Sequence, residues 1–255
     1  MNASARAFVL GWPIAHTKSP VIVDAAFAAL GLDARMEVRA VPPEQLAHAI
    51  AELRALPMLG ASVTVPHKLA VAALCDELAG AARELGAVNC LQLERGRLVG
   101  HNTDARGFLD GLGRDVRGVR AILLGAGGAS RAVAYALRGA GASVDILSRP
   151  FPDLHSAFAR ADLLVDCTSA GLDPAADAAF TAQLPLAALP PAAWVGTLVY
   201  HRRTRLLDAA APRHTFDGRA MLVHQAAIAV GLWTGRDPPI DIMTRALDDA
   251  LVKSA

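Results

Sequence analysis

The sequence predicts an α/β protein of two domains with a cleft between them. Three observations predict it. Short apolar runs alternate with Ala- and Leu-rich helical patterns along the chain, the mark of βαβ units on a mostly parallel sheet. The alternation starts afresh near Asp104, and its second round opens on a strand, a glycine-rich turn and a helix. The chain has 255 residues, 53% hydrophobic and 19% charged, enough to fill two ordinary cores.

The elements follow in order. Ala7–Gly11 reads as a strand, and Pro20–Gly31 as a helix with proline in its first turn and glycine at its end. Ala34–Val41 alternates as a strand does, Pro42–Leu56 is a helix, and Gly60–Val65 is a β-branched strand closed by Pro66. Leu69–Ala87 reads as helical, and Ala87–Asn102 as a hairpin around Arg95-Gly96. Thr103–Asp115 is a helix able to link two domains. Arg120–Arg149 is strand, glycine turn, helix, strand. Ala161–Ser169 and Ala192–Tyr200 supply further strands, and Gly218–Gly235 and Ile240–Ser254 supply closing helices.

Bulk properties narrow the function. Net charge is +1 with no basic or acidic block, which argues against nucleic acid and an anionic membrane surface as partners. No apolar run reaches the roughly 20 residues of a spanning helix, and the N-terminus lacks signal-peptide architecture. The three cysteines, Cys75, Cys90 and Cys167, are odd in number and far apart, fitting neither a disulfide framework nor a zinc site. Buried thiols in a reducing cytoplasm are the expectation. His16, His67, His101 and His224 lack metal-site spacing, and no metal is expected.

The glycine turn lies in "AILLGAGGASRAV". Gly125, Gly127 and Gly128, with Ala126 and Ala129, stand between an apolar strand and a helix. Such a turn brings backbone N–H groups to a pyrophosphate at the positive end of the helix. The motif is incomplete, because Ser130 occupies the third glycine position. The next strand ends in Ser148-Arg149, where an arginine accommodates a 2′-phosphate. Arg149 therefore favours NADP, and Asp145 lies too far inside the strand to serve as the ribose ligand.

"GASVTVPHKLA" places Lys68 just past a strand end. A lysine and a carboxylate meeting in a cleft can move a proton on and off a substrate hydroxyl. Asp104, in "GHNTDARG", is the candidate carboxylate, although aspartate at a helix start is also a good cap.

Seven segments occur in order: "GWPIAHTKSP", "SVTVPHK", "GAVNCL", "GHNTDARGF", "LLGAGGASRAV", "DCTSAG" and "GRAMLVHQA". Together they resemble the signature segments of the shikimate dehydrogenase family, from Gly11 to about Trp233. The resemblance implies a substrate-binding domain of residues 1–104 plus 218–255 and a Rossmann-like NADP-binding domain of residues 105–217. It implies the reversible NADPH-dependent reduction of 3-dehydroshikimate to shikimate. Lys68 matches the catalytic lysine and Asp104 its partner. Thr17 and Ser19 match the hydroxyls that grip the substrate carboxylate. Ser62, Thr64, Asn89, Gln225 and Tyr200 match positions around the substrate. Thr168 and Ser169, in the Thr-Ser pair after a strand, join the glycine turn, Ser148 and Arg149 on the cofactor side.

The match departs at several positions. Thr17 replaces a serine, and Ser62 replaces an asparagine that normally reaches the substrate. Thr197 stands where an aspartate is common, and Arg202 where a proline often follows the tyrosine. Residues 150–161 leave room for one short helix, such as Asp153–Arg160, and no strand, so the nucleotide-binding sheet should lack an edge strand. A downstream arginine that helps clamp the 2′-phosphate has no counterpart, which leaves NAD possible. Two other readings stay open: a quinate/shikimate dehydrogenase paralogue using NAD, and a weakly catalytic shikimate-binding protein. The expected partner is a small polyol acid, and the expected assembly a cytoplasmic monomer or homodimer.

Overall fold

The computed structural model describes residues 5–151 and 153–253. The chain divides into two compact units, one of Met1–Gly107 with Val223–Ala255 and one of Phe108–Leu222. Both carry α/β architecture.

The first unit opens with β1 (Ala5–Gly11), α1 (Ser19–Ala29), β2 (Ala34–Ala40), α2 (Leu46–Arg54) and β3 (Met58–Val63). The parallel pairing of β1 with both β2 and β3 requires crossovers, which α1 and α2 supply. β4 (Glu77–Leu78), α3 (Ala81–Leu85), β5 (Cys90–Glu94) and β6 (Arg97–His101) follow. The sheet order is β2-β1-β3-β5-β6-β4, with β5 antiparallel to β3 and to β6. Arg95 and Gly96 make the hairpin turn with φ of 50° and 80°, the left-handed pair that suits the strand twist. Phe8, Leu10, Ile50, Leu53, Ala61, Val63 and Leu91 fill the core against α2.

The segment Leu69–Ala87 corrects its sequence reading. It is not one helix but a 3-10 turn at Ala70–Leu74, then β4, then the five-residue α3. Tertiary bonds win over local helix preference there. Asp76 accepts the Leu98 N–H at 2.6 Å and pairs with Arg54, also at 2.6 Å, which holds the chain extended beside β6. Gly80, at φ 49°, then resets its direction.

α4 (Asp104–Leu112) leads into the second unit of β7 (Arg120–Leu124), α5 (Gly128–Gly139), β8 (Ser143–Leu147) and α6 (Leu154–Phe158). β9 (Leu163–Asp166), α7 (Pro174–Thr181), β10 (Trp194–Thr197), α8 (Arg205–Ala209) and β11 (Thr215–Phe216) complete it. Every pairing is parallel, in the order β11-β10-β9-β7-β8. This is the six-stranded doubly wound order with its third strand missing. Asp153 caps the short α6 by accepting from His155 and Ser156 N–H groups, and the chain then enters β9 directly. Among the described residues no strand pairs on the far side of β8.

α9 (Arg219–Thr234) and α10 (Ile240–Val252) close the chain. Ser254, placed in the last helix by sequence, lies outside the described residues. No helix of the described residues is long and apolar enough to cross a membrane.

Candidate active site

Lys68 lies in the turn that follows β3, and two anchors fix its backbone. The preceding His67 is 1% exposed, and its Nε2 donates to the Val41 carbonyl at 2.7 Å. The Lys68 carbonyl itself accepts the Val88 N–H at 2.8 Å. The side chain, 22% exposed, places Nζ 2.7 Å from Asp104 Oδ2.

Asp104 is the first residue of α4 but does not serve as its cap. Asn102 Oδ1 takes the Ala105 N–H at 3.3 Å instead. The Asp104 carboxylate is thereby released for Lys68 on one oxygen and Asn89 on the other, with Asn89 Nδ2 donating at 2.9 Å. Asn89, 3% exposed, is held in turn by Thr103, whose N–H donates to Asn89 Oδ1 at 2.7 Å. Asn89 Nδ2 also faces Thr103 Oγ1 at 2.9 Å and Gln225 Oε1 at 3.4 Å. Gln225 is carried by α9, which comes close because α4 has glycine at 107. A Cβ there would lie 2.6 Å from the Gln225 nitrogen. Lys68, Asp104, Asn89 and Gln225 thus form one chain of polar contacts. Thr103 and Gly107 are members that sequence reasoning missed. The signal available was their position in "NTDARG", beside the candidate aspartate.

Ser62 and Thr64 stand two residues apart, on the face of β3 and its extension opposite Ala61 and Val63, which enter the core. The Thr64 N–H bonds the Leu10 carbonyl and the Trp12 N–H bonds the Val65 carbonyl, so the loops after β1 and β3 begin side by side. The loop after β1 carries Thr17 and Ser19, with Oγ1 and Oγ 3.2 Å apart. Thr17 Oγ1 accepts the Ser19 N–H at 3.3 Å, so the two hydroxyls sit directly at the start of α1.

In the second unit the glycine turn and the turn after β9 meet. Gly125, at φ 99°, has the conformation only glycine takes readily, and a Cβ on it would lie 3.1 Å from Thr168 Cγ2. Around Gly127 and Gly128 the space a Cβ would fill is open, and no side chain caps α5. Ala126 is exposed and Ala129 half-buried. β7 and β9 are neighbours at the point where the chain order reverses, which is where doubly wound sheets bind ligands outside their carboxyl ends. Ser148 and Arg149 follow β8 and are exposed, as is Ser169. The bare amides at the start of α5 and the exposed guanidinium after β8 fit a phosphorylated dinucleotide. Tyr200 is half-buried in the segment after β10, its ring edge-on to His201. Among the described residues no three His, Cys, Asp or Glu side chains gather as a metal site.

The family model of the shikimate dehydrogenase substrate binding domain matches residues 9–91, and that of the shikimate 5′-dehydrogenase C-terminal domain matches residues 218–247. A shikimate dehydrogenase (NADP(+)) of Symbiobacterium thermophilum is 41% identical over 95% of this chain and 93% of its own. The chain belongs to the shikimate dehydrogenase family. Two solved family structures superpose closely. Shikimate dehydrogenase from Aquifex aeolicus gives a TM-score of 0.89 at 31% identity, covering 97% of this chain and 99% of that one. Shikimate 5-dehydrogenase from Thermus thermophilus, in complex with NADP(H) and shikimate, gives 0.86 at 36% identity, covering 96% and 99%. Family membership extends over both units, including the sheet that ends at β8.

Proposed function

We propose that this chain is an NADP-dependent oxidoreductase that interconverts 3-dehydroshikimate and shikimate. The observation that carries the reading is the Lys68–Asp104 pair, 2.7 Å apart, in the turn after β3 of a family member. Held at the glycine turn, NADPH would supply the hydride for the substrate carbonyl carbon, and NADP would accept it in the reverse direction. Lys68 gives a proton from Nζ to the carbonyl oxygen as negative charge develops there, and recovers it when the hydroxyl is oxidised. Asp104 holds Nζ in place at 2.7 Å. Asn89 keeps the carboxylate oriented through Oδ1.

Thr17 and Ser19 donate to the substrate carboxylate, and Ser62, Thr64, Gln225 and Tyr200 contact its hydroxyls. Gly125–Ala129 and Thr168-Ser169 hold the pyrophosphate and nicotinamide side of the cofactor, and Ser148 and Arg149 take the 2′-phosphate. The three free thiols support a cytoplasmic setting, and monomer or homodimer is the assembly we infer.

Initial rates of shikimate and quinate oxidation, each with NADP and NAD, test the reading. We expect shikimate with NADP to be preferred. A quinate or NAD preference would mean that Ser62 and the missing strand have redirected the enzyme. Shikimate binding without turnover in any pairing would overturn the enzymatic reading.

A further inference from the structure

Arg202 departs from the family pattern, and the site described above gives it no task. Its surroundings do. The side chain lies between the segment after β10 and the turn after β9. Arg202 Nε donates to the Gly171 carbonyl at 2.9 Å. Nη2 pairs with Asp177 Oδ2 at 2.6 Å, and Asp177, on α7, is 2% exposed. The same carboxylate accepts the Arg205 N–H at 2.8 Å, at the start of α8. One guanidinium therefore ties together the turn after β9, helix α7 and the start of α8.

The turn it grips is the one that carries Thr168 and Ser169. Among the described residues the turn's other hydrogen bonds are local. Asp166 Oδ1 accepts the Thr168 N–H at 2.8 Å, Thr168 Oγ1 accepts the Ala170 N–H at 3.1 Å, and the Leu172 N–H reaches the Ser169 carbonyl at 3.1 Å. Gly171 is buried, and a Cβ on it would lie 2.8 Å from Val199 Cγ2, so the turn and the post-β10 segment are in direct contact. Leu172, by contrast, is 58% exposed.

We propose that Arg202 is a positioning residue that fixes the Thr168–Leu172 turn for NADP by bonding Gly171 and the buried Asp177. This rests on the reading of Thr168 and Ser169 as cofactor-side residues. The bonds of the Arg202 guanidinium go to Gly171, Asp177 and the adjacent Arg203 carbonyl, all in the second unit, so its effect is expected on the cofactor side. The bonds to Gly171 and Asp177 are both needed. The ion pair orients the guanidinium, and the Nε–H bond transmits that orientation to the turn.

Two variants separate positioning from folding. Arg202→Lys keeps a cation near Asp177 but has no Nε–H for Gly171. The double variant Asp177→Asn/Arg202→Gln removes both charges together, so no unpaired charge is left buried. In both, we expect the KM for NADP to rise about tenfold, or 1.4 kcal/mol. The kcat and the KM for shikimate should stay within about twofold of the parent chain, well below that tenfold step. Hydrogen exchange should quicken over residues 168–173 and stay unchanged in β9. An unchanged exchange rate over 168–173 overturns the proposal, as does an unchanged KM for NADP. An equal loss in kcat and in both KM values also overturns it, because that marks a general structural defect. If the parent chain turns over no shikimate with NADP, the proposed reaction fails, and exchange with added NADP decides the rest. Protection of 168–173 in the parent and not in the variants supports the role of Arg202; equal protection, or none in the parent, removes it.

Discussion

Lys68 Nζ stands 2.7 Å from Asp104 Oδ2, while Asn89 Nδ2 stands 2.9 Å from the other oxygen of that carboxylate. Each oxygen has its own donor, so the carboxylate cannot rotate without losing a bond. Asp104 is 6% exposed and its side chain does no capping. Its position makes sense as a device that aims the lysine. Lys68→Ala should lower kcat by about 100-fold or more, the usual cost of losing a general acid–base group, with a smaller change in KM. Steady-state kinetics check this, and an unchanged kcat takes the lysine out of the mechanism.

Gly107 supports the same network from behind. A Cβ there would press on the Gln225 backbone at 2.6–2.8 Å, where no flexible side chain can yield. Gly107→Ala should destabilise the fold by about 1–3 kcal/mol and raise the KM for shikimate more than that for NADP. Urea unfolding beside steady-state kinetics reads both effects. A variant with parent stability and an unchanged KM for shikimate would show that α9 needs no glycine opposite it.

Arg149 is exposed after β8, on a sheet that has no further strand among the described residues. On the proposed reading, selection of the 2′-phosphate falls largely on its charge. Arg149→Ala should raise the KM for NADP about tenfold, a loss of 1.4 kcal/mol, and leave the KM for NAD unchanged. Comparing the two cofactors on one preparation settles it, and equal losses for both would assign the residue to folding.

Asp166 gives a pH signature. Burial pushes its carboxyl up from 3.8, the Thr168 N–H bond opposes this, and the Asp177 charge adds to the rise. The folded chain thus holds the proton to higher pH than the unfolded chain. Stability falls as pH rises from about 3.8 through the higher folded value, and the ionised form is a net cost at neutral pH. Asp166→Asn keeps an acceptor for Thr168. It should raise Tm at pH 7 by about 2 °C and lose that advantage below about pH 3.8, where both states hold the proton. Thermal melts at the two pH values test this, and a Tm difference independent of pH would contradict it.

The thiols should be inert. Burial pushes Cys90 up to about 12 and Cys75 up to about 11, and it raises Cys167 as well. Little thiolate exists at pH 8, so iodoacetamide should label the folded chain about 100-fold more slowly than free cysteine. Mass spectrometry of timed samples measures it. Fast labelling of any one thiol in the folded state would refute its shielding.

Much of this was legible in the sequence where the signal is local. The stretch from β7 to β8 is punctuated by glycines and changes period from strand to helix, so its elements and its turn could be placed. The missing strand could be read from length alone, because the described residues between β8 and β9 hold only α6. What sequence could not show depends on distant partners. Lys68 and Asp104 are 36 residues apart, and Arg202 and Asp177 are 25 apart. Family resemblance linked the first pair, and nothing linked the second. The Leu69–Ala87 segment misled because its alanines and leucines favour helix, while the bonds that straighten it come from Arg54 and Leu98. β4 and β11, at two residues each, are too short to show any period.

Leaving out a strand turns its neighbour into a border. β8 offers an unpaired ladder of backbone groups on one side, the kind of margin along which copies of a protein can zip together. The chain blunts that margin by brevity and polarity. β8 has five residues, its outward Ser143 and Asp145 are exposed, and Arg138 of α5 occupies the Val144 carbonyl at 2.8 Å. The missing strand therefore leaves Asp145 and Arg138 to guard that margin, and apolar replacements at these two sites should show themselves first as precipitation.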